Sequence, residues 1–315
     1  MTMALDSYLD RNGALAIVRD ATNCLDLLRE FHTSGYLFRG VSNADYRLET
    51  TLDRLGAGLK WQKERWLIRE FNRRVHHYLP VESIPRTTFE LLALMQHYGV
   101  PTRLLDFTRS PFVALYFAVR RPARQYDAAV WAFFPNNLQS RTFKRIREQD
   151  EELLKAIGKF VNPAQEFTRE RLFTKWFMTS VQFASDGSKE IVPHREIVMN
   201  LEPFKMNRRL TVQQGLFFVS GSAFRTFEET LTDLLDESQR GLTDGMTEPS
   251  VVKIVIPQNL RLPLLKELDL MNINSASLFE GLEGFAASLA ERIVTMSGVE
   301  MAPSLWSFPF EEGPN

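Results

Sequence analysis

The sequence predicts an α+β protein, a single domain with a central mixed or split β-sheet flanked by helices. Strand-like and helix-like segments are intermixed along the chain, without regular strand–helix alternation and without a repeat period. Hydrophobic residues make up 44% and charged residues 24% of 315 residues, a composition typical of a soluble domain with a well-filled core. No run approaches the roughly twenty apolar residues that a membrane span needs. The N-terminus lacks a secretion signal, so we expect a cytoplasmic protein with no membrane contact.

The first third of the chain predicts a helix over 21–32, a short strand over 36–40 and a long helix over 59–78. The helix over 21–32 follows from the helical spacing of its apolar residues, which include Cys24. Because Cys24 is the single cysteine of the chain, we interpret it as a small core residue and expect neither a disulfide nor a thiolate metal cage.

The segment 94–118 joins the end of one helix to the start of another. Gly99 follows the first helix as a stop signal, and Ser110 with Pro111 opens the second as N-cap and first helical residue. We interpret the residues between the helices as a turn that carries more polar side chains than capping requires. The polar residues that the caps do not explain are Thr102, Arg103, Asp106 and Thr108.

The remainder of the chain alternates irregularly between strands and helices. Strands are predicted over 127–134, 195–201, 214–219 and 251–256, and helices over 223–236, 260–270 and 276–290. We divide the chain into a helical lead-in at 1–29, a domain at 30–290 with a helical insertion at about 139–178, and a tail at 291–315.

The net charge and the absence of common motifs argue against several classes of protein. The net charge of −1 provides no global basic field for nucleic acid. Dinucleotide-binding glycine motifs, a phosphate-binding Walker loop, a Gly-x-Ser-x-Gly elbow and paired metal-ligand histidines are absent from the sequence, so we predict no metal site. His76 and His77 are adjacent, and on a helix they point about 100° apart.

Several polar and aromatic side chains in these segments would suit a nucleotide-binding pocket. Arg39, on a strand, offers a planar fork for a phosphate or carboxylate. Thr108 and Ser110 precede a helix, where free backbone N–H groups favour an anion. Tyr98 or Tyr116 would stack on a flat ring. Gln213 would hydrogen-bond a ribose hydroxyl or an amide.

Each of these residues also has a structural interpretation. Asp106 would form an internal ion pair with Arg39 or with Arg103. Thr108 and Ser110 would serve as helix caps, and Tyr98 and Tyr116 would be core aromatics. Convergence in one cleft decides between the two interpretations, and we expect Arg39, Asp106, Ser110 and Gln213 to line it, with Thr102, Arg103 and Thr108 facing Arg39 and Gln213.

Three segments resemble the FRG domain, a bacterial family of largely uncharacterised proteins. The first is Phe38-Arg39-Gly40. The second runs from His97-Tyr98-Gly99 through Thr102-Arg103-Leu-Leu-Asp106 to Ala114-Leu-Tyr-Phe-Ala118. The third is Arg209-Leu-Thr-Val-Gln213-Gln-Gly215. A fourth segment, Ile273 to Gly284, resembles the terminal helix entry of the family, with Glu280-Gly281 where Pro-Asp is more usual.

The order of these motifs also resembles mono-ADP-ribosyltransferases. That resemblance implies an Arg on the first strand holding the NAD phosphates, a Ser/Thr motif shaping the nicotinamide site and a late glutamate polarising the ribose. Arg39 and the Thr108–Ser110 segment match the first two features. A clear late glutamate is missing, and Glu196 or Gln213 would take its place, so the catalytic set implied is Arg39, Asp106, Glu196 and Gln213.

Three functions follow as hypotheses. The first is a nucleotide-binding enzyme, an NAD-dependent ADP-ribosyltransferase or NAD glycohydrolase acting as a toxin or phage-defence effector. NAD would be its substrate, it would hold no covalent cofactor, and an antitoxin would be its partner. The second is a non-catalytic module that binds a nucleotide or a protein. The third is a nucleic-acid-binding protein that uses the basic residues of 59–78 and 139–175.

Overall fold

The computed structural model describes residues 15–56, 60–149, 196–222, 224–236 and 249–296. Seven strands in these ranges form one mixed sheet with the spatial order β1-β7-β4-β2-β3-β6-β5. The strands are β1 (Leu15–Ile17), β2 (Leu37–Val41), β3 (Leu104–Thr108), β4 (Ala128–Phe133), β5 (Val198–Leu201), β6 (Gly215–Ser220) and β7 (Val251–Ile256). Only β1 and β7 pair in parallel, and the other neighbours are antiparallel. The predicted α+β class and single mixed sheet are confirmed.

Helices cover both faces of the sheet. They are α1 (Ala21–Thr33), α2 (Lys60–Arg74), α3 (Thr88–His97), α4 (Pro111–Val119), α5 (Pro135–Gln149), α6 (Arg208–Val212), α7 (Phe227–Asp236), α8 (Arg261–Leu270), α9 (Ser275–Leu278) and α10 (Gly281–Thr295). Apolar side chains of α1, α4 and α8 pack with one face of β2, β4 and β7, and α3 packs with the corresponding face of β3 and β6. Helix α7 packs on the opposite face. Consecutive residues such as Phe217 and Phe218 enter different clusters, as the two-residue period of a strand requires.

Three elements differ from the sequence prediction. The segment between α3 and α4 is the central strand β3, because Leu104, Leu105 and Phe107 are buried between β2 and β6. The predicted helical lead-in contains the edge strand β1. The helix predicted over 276–290 is two helices, α9 and α10, which meet at an extended Phe279.

Helix α5 includes the start of the predicted insertion and packs on the sheet. Thr142 Oγ1 donates to the Val198 carbonyl at 2.7 Å, and Leu138 and Ile146 are buried. The rest of that insertion (150–178), residues 1–14 of the lead-in and residues 297–315 of the tail lie outside the described residues. Among the helices within the described residues, none combines the length and apolar character of a membrane-spanning segment.

Candidate functional site

The sheet is split between β2 and β3. These two strands share a single registered pair, Phe38 with Thr108, whereas β2 pairs with β4 over five positions and β3 with β6 over five. Past that pair, the backbone polar groups of Gly40 and Asp106 have no ladder partner across the split. An opening of this kind within a sheet leaves strand backbone accessible to a ligand.

A cavity of about 260 Å³ lies at the split. Its walls come from β2, β3, α3, α4 and α6, so it is built by all three sequence motifs. Polar residues that line it are Arg39, Gln96, His97, Asp106, Thr108, Asn207, Arg209 and Gln213. Apolar residues that line it include Phe38, Phe107, Phe117 and Phe217. Three of the four residues expected to share one cleft, Arg39, Asp106 and Gln213, therefore do so.

Arg39 spans the split. Its Nη1 donates to the Asp106 carbonyl oxygen at 2.7 Å, in place of a ladder hydrogen bond. The Nε atom is buried and has no hydrogen-bond partner among the described residues, and no described carboxylate forms an ion pair with this side chain. Burial lowers the pKa of Arg39, against the opposing effect of Asp106, yet an arginine stays charged in proteins. A buried cation with an unused N–H is costly unless an anion binds it.

Gly40 fixes helix α4 directly over strand β2. A Cβ atom at this position would lie 1.8 Å from the Ala114 carbonyl oxygen and 2.8 Å from the Ala118 nitrogen. A glycine on the strand and alanines on the helix therefore allow the two backbones to approach closely. This contact places Val113, Ala114 and Phe117 in the cavity wall.

Asp106 is held from one side by a short chain of polar groups. Gln96 Nε2 donates to Asp106 Oδ1 at 2.7 Å, and the Thr102 hydroxyl donates to Gln96 Oε1. Thr102 is fully buried, so it orients Gln96 and does not face the cavity. The carboxylate of Asp106 is exposed and contributes negative charge to the wall beside Arg39.

Thr108 and Gln213 close the far end of the split. The Thr108 hydroxyl donates to the Gln213 carbonyl at 2.7 Å and accepts from the Ser110 backbone N–H at 2.9 Å. Gln213 lies at the C-terminal cap of α6, just before β6, and its Nε2 donates to the Leu278 carbonyl at 3.0 Å. Its Oε1 has no hydrogen-bond partner among the described residues and remains available as an acceptor.

His97 and Arg209 form the rim of the cavity. The His97 ring packs edge-on against Tyr98 with centroids 4.9 Å apart. Burial lowers the pKa of His97, and the positive charge of Arg209 lowers it further, while Glu280 opposes both. Protonation of His97 is therefore unfavourable, mainly because the ring is partly buried.

The lowered pKa of His97 makes folding stability depend on pH. Below the ordinary histidine value the unfolded chain binds this proton more readily, so the free energy of unfolding should fall as pH drops from about 7 to 5. Denaturant titrations at several pH values should show that the free energy of unfolding depends less steeply on pH in His97→Gln than in the wild type. An identical slope for both would contradict this assignment.

Five further candidates lie outside the cavity. Arg103 and Glu64 form a buried two-pronged ion pair, and Arg103 Nη1 also donates to the Ser220 carbonyl. The predicted Arg103–Asp106 pair is therefore wrong, because Glu64 satisfies Arg103 within the core. Ser110 caps α4 by accepting from the Val113 N–H at 3.3 Å. Tyr98 is 59% exposed and does not line the cavity.

Tyr116 and Glu196 complete that group. The Tyr116 hydroxyl is buried and donates to Glu291 at 2.5 Å, which ties α4 to α10, and burial raises its pKa. Glu196 forms ion pairs with Arg145 at 2.9 Å and Arg225 at 2.7 Å, on a different part of the sheet. The structure thus does not bring a late glutamate to this cavity through Glu196.

Three residues that line the cavity were not predicted from the sequence: Gln96, Asn207 and Arg209. Arg209 stands in the quoted third motif, and its place four residues before Gln213 on a helical turn was the available signal. Within the described residues, no cluster of three or more His, Cys, Asp or Glu side chains has a metal-binding arrangement.

Part of the positive charge of helix α2 is paired within the protein. Lys60 is buried against Asp53, with Nζ and Oδ1 2.6 Å apart, and burial lowers its pKa. Arg73 and Arg74 both pair with Glu70. Cys24 is fully buried and its pKa rises to about 12, so its thiol stays protonated within the core.

The site and the sheet define an α+β protein with a charged, arginine-anchored cavity at a split in its sheet. Residues 34–127 match the family model of the FRG domain. That match covers less than half of the chain and contains β2, α2, α3, β3 and α4, which carry Arg39, Gln96 and Asp106. Residues 34–127 are therefore similar to the FRG domain. No curated protein and no solved structure matches the chain, so the resemblance to ADP-ribosyltransferases gains no support from these comparisons.

Proposed function

We propose that the cavity binds a nucleotide through its phosphate, with Arg39 as the anchor. The observation that carries this proposal is the buried Nε of Arg39, which has no partner among the described residues while Nη1 is fixed on the Asp106 carbonyl. The fixed Nη1 orients the planar fork without neutralising its charge. Guanidinium groups bind phosphate oxygens through short, charge-assisted hydrogen bonds.

The other walls suit the remainder of a nucleotide. Gln213 Oε1 is available to accept a hydrogen bond from a ribose hydroxyl or a carboxamide. Phe38, Phe107 and Phe117 provide apolar surface for a flat ring. Ligand sites in proteins commonly combine such apolar walls with a few convergent polar groups.

Cleavage of an N-glycosidic bond is the second candidate function, and Asp106 favours it. Its exposed carboxylate lies in the cavity beside Arg39 and is oriented by Gln96. In NAD, the bond between ribose C1′ and the nicotinamide nitrogen would break, and the electron pair would leave with nicotinamide. Negative charge stabilises the cationic sugar, which then takes water or a target nucleophile and releases a proton.

These two outcomes correspond to an NAD glycohydrolase and an ADP-ribosyltransferase. Either activity, acting on cellular NAD or on a cellular target, would account for the expected role as a toxin or defence effector with an antitoxin partner. If Asp106 does not act, the same cavity serves a nucleotide-sensing module.

Replacing Arg39 with methionine tests nucleotide binding. We expect NAD and nicotinamide mononucleotide to raise the melting temperature of the wild type. A hydrogen bond to a charged group contributes about 1.5–3 kcal/mol, so Arg39→Met should weaken both ligands tenfold to more than a hundredfold. Arg39→Lys keeps the charge without the fork and should give an intermediate affinity.

The Asp106→Asn variant separates nucleotide binding from cleavage of the glycosidic bond. The amide keeps an acceptor for Gln96, so binding should persist while nicotinamide release, measured by chromatography, should cease. Nicotinamide release at the wild-type rate from Asp106→Asn would remove Asp106 from the reaction. Wild-type affinity in Arg39→Met would overturn the binding proposal.

A further inference from the structure

A second cavity of about 460 Å³ adjoins the first. The two cavities share His97 and Arg209 in their walls. The second is otherwise formed by the end of α4, by α9 with the following Phe279, and by the start of α10. The charged residues that they contribute are Arg120, Glu280 and Glu283. One continuous surface therefore leads from the split in the sheet to these helices.

Two arginines of this cavity are stacked on one phenylalanine. The Cζ atom of Arg209 lies 5.3 Å from the centroid of the Phe279 ring, and that of Arg120 lies 5.8 Å from it. Phe117, which lines the first cavity, contacts Phe279 edge-on with centroids 5.9 Å apart. Stacking orients a guanidinium and leaves its N–H donors, which lie in the plane of the group, free to bind.

Neither guanidinium is neutralised. Among the described residues, no carboxylate forms an ion pair with Arg120 or Arg209, and no hydrogen bond uses their side-chain donors. Glu280 and Glu283 line the same cavity and also form no ion pair within that part of the chain. The cavity thus has two cations on the side next to the first cavity and two carboxylates at the N-terminal end of α10.

The volumes of the two cavities indicate the size of the ligand that they could hold. Pockets for complete small-molecule ligands are about 300–1,000 Å³, so the first cavity is small for a whole nucleotide cofactor. It suits one half of a two-part ligand. The adjoining cavity supplies the remaining volume.

We propose that the second cavity is a second subsite for the same ligand, so that the protein takes a dinucleotide and not a mononucleotide. This inference rests on the proposed function of the first cavity. Arg209 and Arg120 bind the second phosphate, and the carboxylates of Glu280 and Glu283 accept hydrogen bonds from the hydroxyls of the second ribose. Acidic side chains bind ribose hydroxyls in this way in other dinucleotide sites.

Arg120→Met tests the second subsite, because methionine keeps the apolar stem against Phe279 and removes the charge. Titration calorimetry with NAD and with nicotinamide mononucleotide compares a two-part ligand with the half assigned to the first cavity. We expect Arg120→Met to weaken NAD tenfold or more and to change the affinity of the mononucleotide less than twofold. Arg120→Lys retains a charge and should recover part of the NAD affinity.

Arg124→Met is the matched control. Arg124 is exposed and stacks on Tyr126 with Cζ 6.0 Å from the centroid, outside both cavities, and its replacement should leave both affinities unchanged. Unchanged NAD affinity in a folded Arg120→Met variant would overturn the second subsite. Unchanged NAD affinity in the triple variant Arg120→Met/Glu280→Gln/Glu283→Gln would overturn it as well.

The two proposals fail in different ways. If Arg39→Met weakens both ligands while Arg120→Met weakens neither, the first cavity binds the nucleotide alone and the second subsite is overturned. If Arg120→Met weakens NAD while Arg39→Met does not, the second cavity stands and the proposed role of Arg39 falls. A wild type that binds neither ligand overturns both.

Discussion

Replacing Arg103 with methionine should destabilise the protein by about 3–5 kcal/mol. Arg103 and Glu64 are each 1% exposed, and Arg103 Nε donates to Glu64 Oε1 at 2.6 Å. Removing the guanidinium leaves a buried carboxylate without its partner, which is far costlier than the loss of one hydrogen bond. Domains of this kind are stable by about 5–15 kcal/mol in total, so chemical denaturation should show a large fall in the unfolding midpoint.

A double variant and a surface variant serve as controls for this prediction. Arg103→Met combined with Glu64→Leu removes both charges, and it should be more stable than Arg103→Met alone. Arg29→Met breaks the exposed pair with Asp26 and should cost less than about 1 kcal/mol. If Arg103→Met and Arg29→Met have equal effects, the buried pair is not what holds α2 to the end of β6.

Gly40→Ala should be the second most damaging substitution, with an expected cost of about 3 kcal/mol or more. The added methyl group would lie 1.8 Å from the Ala114 carbonyl oxygen, and this obstacle is helix backbone that a side-chain rotation cannot relieve. Helix α4 must therefore move away from β2. Because α4 carries Val113, Ala114 and Phe117, we expect the variant to lose nucleotide binding as well as stability, as measured by thermal melting with and without NAD.

Gly99→Ala separates this steric effect from the general cost of replacing a glycine. Gly99 has a φ of +79°, and a Cβ there would contact nothing within 4 Å. Its replacement should cost only the roughly 1–2 kcal/mol of a left-handed backbone conformation and should leave binding intact. If Gly40→Ala has the same melting temperature as Gly99→Ala and binds NAD normally, then a shift of α4 affects neither stability nor nucleotide binding.

Most of the fold was predictable because most of its elements carry local signals. The N-cap of α4 at Ser110 could be predicted directly from the sequence, and it is confirmed. Strand β3 was missed although Leu104, Leu105 and Phe107 have strand character. Its polar residues were interpreted as a turn, since nothing local shows that β6 pairs with it from more than one hundred residues away.

The site was predictable in part for a similar reason. Arg39, Asp106 and Gln213 belong to three separate sequence motifs. Because these motifs resemble a single family, the three residues were expected to line one cleft. The partner of Arg103 was not predictable, because Glu64 lies 39 positions earlier on a separate helix and no local pattern links the two residues. The predicted strand position of Glu196 gave no indication that Arg145 and Arg225 would hold its carboxylate away from the cavity, two residues before the start of β5.

A structure of the protein with nicotinamide mononucleotide bound would show whether Arg39 binds the phosphate of a nucleotide in the split between β2 and β3. We expect a phosphate oxygen within about 3 Å of Arg39 Nε, with Nη1 still on the Asp106 carbonyl and the ribose next to the Asp106 carboxylate. Ligand bound elsewhere on the protein, with the Arg39 Nε still unused in the split between β2 and β3, would contradict it.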